Sequence, residues 1–80
     1  MKIEDLWPEY EALNSQFKLL KAYGDIADPA MWDKLVTDAR EVNKSLEGTA
    51  AQDYVKALTV ATLRHIERLN MKGGKRYMKA

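Results

Sequence analysis

The stretch TAAQDYVKALTVATLRHIERLNMKGGKRYMKA, residues 49–80, decides the fold. Gly48 interrupts whatever precedes it, Thr49 carries a hydroxyl able to cap a helix, and Gln52 follows at the spacing of a capping box. The spacing predicts a helix over 50–71 with Thr49 as its N-cap. Advancing about 100° per residue brings Ala61, Tyr54, His65, Leu58, Ala51, Leu69, Thr62, Val55 and Ile66 onto one face. At roughly 140° that face is wider than a two-helix seam and suits a helix lying between two partners. Val60, Leu63 and Ala57 fall outside it and offer a second contact surface.

Working outward, Leu6, Tyr10, Leu13, Phe17 and Leu20 recur at alternating fours and threes with Trp7 alongside, predicting a helix over 6–23 with a narrow apolar seam. Asp5 is the expected N-cap, which puts Pro8 at the third helical position, where its missing N–H is harmless. Glu9 and Glu11 favour the positive end of the helix dipole, and Gly24 is expected to end the helix in the left-handed conformation. Asp28-Pro29 opens a second helix over 29–47 with an acidic cap and a proline at the first position. Its seam is Trp32, Leu35, Ala39, Val42 and Leu46, widened by Val36. One or two residues around Gly48 would then join it to the last helix in a tight antiparallel hairpin.

The expected architecture is therefore all-α, an up-down-up antiparallel three-helix bundle over residues 1–72. Trp7 and Trp32 are expected to anchor packed layers at its opposite ends. Gly73-Gly74 breaks the helix and leaves 73–80 as a flexible basic tail.

Composition narrows the function classes. Eighty residues hold one core, and 46% hydrophobic with 31% charged residues is the balance of a folded chain. With no cysteine there are no disulfides or thiolate metal sites, which points to a reducing, cytoplasmic setting. No run approaches the ~20 apolar residues of a membrane span, and Glu4 and Asp5 interrupt the start where a signal peptide would be apolar.

Catalytic machinery is not visible. Gly73-Gly74-Lys75 lacks the first glycine and the Ser or Thr of a phosphate-binding loop, since Leu69 and Arg76 stand there. His65, the single histidine, falls in the apolar stripe with Arg68 and Leu69 where metal ligands would be needed; it reads as a core residue, oriented by a carboxylate such as Glu41 if by anything. Asp25, Asp28 and Asp33 miss the spacing of a calcium loop. The turn at Glu47-Gly48-Thr49 resembles that of a helix-turn-helix, but the following residues 50–56 carry one base and one acid, a poor match to phosphates. Neither enzyme activity, nor a cofactor, nor a metal is expected.

Charge is the informative quantity. Residues 64–80 carry six basic groups against Glu67, a net of +5, while residues 1–63 carry seven basic and eleven acidic groups, a net of −4. Arg64, Arg68, Lys72, Lys75, Arg76 and Lys79, with Tyr77 among them, form a basic end. Basic groups there complement the helix dipole and the nearby Asp25, Asp28 and Asp33; they are also able to meet an acidic partner or a nucleic-acid backbone. The leading expectation is a small non-enzymatic accessory protein acting through protein–protein contact or self-association, with Val60 and Leu63 as the homodimer patch. The alternative is a sequence-independent nucleic-acid binder using the basic end.

Overall fold

The computed structural model of the protein describes residues 1–71. A single 3₁₀ turn, Ile3–Leu6, leads into α1 (Trp7–Tyr23), followed by α2 (Pro29–Ser45) and α3 (Gln52–Met71), with no strand among the described residues. Each helix packs against the other two. The expected tail, 73–80, and Lys72 before it lie outside the described residues.

The start of α2 follows from local chemistry. Asp28 adopts an extended conformation and its Oδ1 accepts the Ala30 N–H at 2.9 Å, while Pro29 occupies a position that needs no donor. The seam of α2 is as the sequence predicts: Leu35, Ala39 and Leu46 are buried, and Trp32 and Val42 are half-buried against the core. Val36 is exposed and does not widen it.

The start of α1 departs from expectation. Asp5 does not cap it; its N–H closes the preceding turn on the Lys2 carbonyl at 3.0 Å, and Leu6 stands at the N-cap with no side-chain bond. Pro8 is consequently the second helical residue instead of the third. Gly24 ends α1 at φ −61°, in the right-handed region. The left-handed glycine is Gly48, at φ +80°.

The α2–α3 connection is longer than one or two residues and runs from Leu46 to Ala51. Gln52 does reach back, but its Oε1 accepts the N–H of Gly48 at 2.7 Å, one residue before the expected cap. The Thr49 hydroxyl accepts the Ala51 N–H at 3.2 Å and donates to the Leu46 carbonyl at 2.7 Å. Cap and box are thus split across a turn, which places the start of α3 at Gln52.

The core has two apolar layers. One joins Leu19, Tyr23, Leu35, Ala39 and Ile66, with Trp32 against it. The other joins Ala12, Leu46, Ala51 and Val55. Between them lies a polar layer to which each helix contributes one side chain. Gln16 of α1 donates from Nε2 to Thr59 Oγ1 of α3 at 2.9 Å, and that hydroxyl donates to Asn43 Oδ1 of α2 at 2.8 Å. Because Gln16 and Thr59 are buried, a slip of any helix along its axis strands these groups without partners, so this layer fixes the mutual register. At the end where α1 and α3 finish together, Asn70 Oδ1 accepts the Ile26 N–H at 2.8 Å and ties the α1–α2 loop to α3.

Two helical faces are turned from their predicted directions. On α3 the buried set is Val55, Thr59, Thr62, Ile66 and Leu69, with Ala51 buried just before it, whereas Tyr54, Ala61 and His65 are exposed. The face is rotated by roughly 50°, at 100° per residue, toward Thr59, whose hydroxyl is satisfied in the polar layer. On α1 the disagreement is larger. Pro8, Ala12, Gln16, Leu19 and Tyr23 face inward, and the predicted seam of Leu6, Tyr10, Leu13 and Phe17 faces out. Trp7 is 55% exposed and anchors no layer.

Candidate interaction surface

The outward seam of α1 starts in the 3₁₀ turn and runs as Ile3, Leu6, Tyr10, Leu13 and Phe17, ending at Leu20, which is half-buried against the core. These alternate threes and fours correspond to positions a and d of successive heptads, the pattern of a helix that pairs with another along a narrow stripe. Ile3 is 86% exposed, Tyr10 and Phe17 65%, and Leu13 51%, with Trp7 flanking them. Taking the area of a large side chain as about 200 Å², the exposed ones on this stripe present roughly 700 Å², above the largest apolar patch of an ordinary monomer.

The stripe has relief. An open, apolar depression of about 500 Å³ is lined by Ile3, Leu6, Trp7, Glu9, Tyr10 and Leu13. A second, of about 420 Å³, lies at the other end of α1, where Phe17, Leu20 and Lys21 meet His65 of α3. Glu9 borders the first, and its Oε1 is withdrawn from solvent without a hydrogen-bond partner. The surface therefore extends along α1 and reaches the exposed edge of α3.

Why α1 turns this face outward follows from what it buries. Ala12 is fully buried beside Ala51 and Val55, and two alanines at the contact allow α1 and α3 to approach closely. Gln16 must also face inward to meet Thr59. Leu19 and Tyr23 complete the inward set on the same side of the helix. The larger apolar residues lie on the adjacent arc, which neither α2 nor α3 covers.

The residues singled out in the sequence are distributed differently. Arg64 and Arg68 are exposed on α3, and Lys72, Lys75, Arg76, Tyr77 and Lys79 lie outside the described residues. Val60 is half exposed, and Leu63 is half-buried against the layer containing Leu35 and Ile66. His65 is a surface residue and not a core one. Glu41, suggested as its orienting carboxylate, lines a separate depression between α1 and α2 together with Lys18, Tyr23 and Asp38. There the Tyr23 hydroxyl donates to Asp38 Oδ2, with the ring buried and the hydroxyl emerging beside the exposed carboxylate. That bond, reinforced by burial and by the negative charge, raises the Tyr23 pKa above its ordinary 10.0.

Among the described residues no cluster of three or more His, Asp or Glu side chains is placed to hold a metal ion, and no helix is long and apolar enough to cross a membrane. Comparison with protein-family models, with curated proteins and with solved structures finds no match. Tyr10, Leu13 and Phe17 were missed as surface residues, although a signal was present: a strict a/d stripe is narrower than the stripe of a helix serving a globular core.

Proposed function

We propose that this chain is a non-enzymatic interaction module that engages a helical protein segment through the outward seam of α1. The observation that carries this reading is the exposure of Tyr10, Leu13 and Phe17 on a heptad stripe while the bundle closes its core without them. A helix laid along the stripe would seat its own a/d side chains in the depressions beside Trp7 and beside His65, making a fourth element of the bundle. Aromatic side chains at the centre of such a patch are the kind that carry binding energy.

The test is capture from native lysate with the wild-type chain, with Leu13→Glu, and with Arg64→Ala/Arg68→Ala. The proposal expects Leu13→Glu to lose the captured protein while the arginine variant keeps it, all three showing the same helical circular dichroism. Loss through the arginines alone, with nucleic acid in the captured material, would favour the basic end and overturn the proposal.

A further inference from the structure

We infer that the helix received by this seam is α1 of a second copy, packed antiparallel about a two-fold axis near Leu13; this rests on the seam being an interface, as proposed above. An axis at that point sets Leu13 against its own counterpart, Tyr10 beside Phe17 of the second copy, and Leu6 beside Leu20. Leu6 and Leu20 stand seven residues either side of Leu13, and Tyr10 and Phe17 three and four, so the seam from Leu6 to Leu20 is nearly self-complementary in length, with Ile3 projecting beyond it.

Charge selects the antiparallel arrangement. Beside the stripe, Glu4 and Glu11 lie along its first half and Lys18 and Lys21 along its second, all exposed, with Lys21 toward His65 of α3 and Lys18 toward Asp38 and Glu41 of α2. Antiparallel pairing lays the acidic half of each helix along the basic half of the other, on both sides of the axis, and opposes the helix dipoles. Parallel pairing would stack acid on acid and base on base. Exposed pairs of this kind add little affinity, so their effect is on orientation.

Area supports a second copy as sufficient. Roughly 700 Å² of apolar surface on each chain is close to the ~800 Å² per partner of a standard interface. An anionic membrane surface is the poorer occupant, since residues 1–24 hold three lysines against four carboxylates, whereas interfacial helices are rich in basic residues.

The experiment uses the full 80-residue chain. Sedimentation over a concentration series is expected to give a monomer–dimer equilibrium that Leu13→Glu weakens at least ~30-fold, the loss of one central anchor. Unchanged circular dichroism for Leu13→Glu shows that the chain remains folded. Orientation is read by cross-linking, which the absence of native cysteine keeps clean. Mixed Glu4→Cys and Lys21→Cys chains are expected to join through a short bis-maleimide, and Lys21→Cys alone is not. A strict monomer at high micromolar concentration, a dimer indifferent to Leu13→Glu, or efficient Lys21→Cys self-linkage overturns the inference. If the purified chain is monomeric while Leu13-dependent capture persists, only the second copy is wrong; if capture is also indifferent to Leu13, the seam itself is wrong.

Discussion

α1 and α3 each carry a stripe of large apolar residues, yet the bundle treats them oppositely. α3 buries its branched residues Val55 and Ile66 completely, whereas α1 buries Ala12 and Gln16 and leaves Tyr10, Leu13 and Phe17 in water. The difference teaches that apolar content alone does not choose the inward face. Close approach at small residues and a satisfied polar contact fix which side of α1 meets its neighbours, and the bulkier side is left for another chain.

Five substitutions break or sharpen this contrast. Ile66→Ala empties a position at 0% exposure and should cost about 2–5 kcal/mol in urea unfolding, whereas Leu13→Ala at low protein concentration should stay within ~0.5 kcal/mol. A comparable loss at Leu13 would mean that α1 is turned the other way. Thr59→Val keeps the volume but removes the partner of both Gln16 and Asn43, and about 1–3 kcal/mol should go with it. A neutral Thr59→Val would show that small-residue packing by itself orients α1.

Gly48→Ala meets no atom within 4 Å, so its cost is purely that of φ +80°, about 1–2 kcal/mol, lowering the thermal midpoint without altering the helical spectrum. Tyr23→Phe should cost about 1 kcal/mol or less at neutral pH. Because the folded-state pKa of Tyr23 is raised, its contribution is fully present below pH 10 and is lost as pH rises through the folded value. The gap between wild type and Tyr23→Phe should therefore close above pH 10 in alkaline denaturation.

The parts legible in the sequence are those where local chemistry and packing agree. In α2, Asp28 and Pro29 mark the start, and one apolar face runs from Trp32 to Leu46, so cap and seam both come out as predicted. The three-helix architecture follows from the same periodicity. α1 offers two apolar arcs, and the one with more carbon is the natural choice for a core until Gln16 is seen to have a buried partner 43 residues away. In α3 the same partner, Thr59, draws the buried face toward itself and leaves His65 outside. Such long-range hydrogen bonds leave no trace in periodicity. At the turn, the Gln52 carbonyl could serve either the Thr49 or the Gly48 N–H, and the left-handed Gly48 settles it for the latter.

The most direct measurement of whether the α1 seam lies outside the core and joins two chains is the thermal midpoint as a function of protein concentration, wild type beside Leu13→Glu. Dimerisation linked to folding raises the wild-type midpoint as concentration rises, while the variant stays flat and the two coincide at high dilution. A variant that melts well below the wild type even at dilution would place Leu13 in the core and contradict the account.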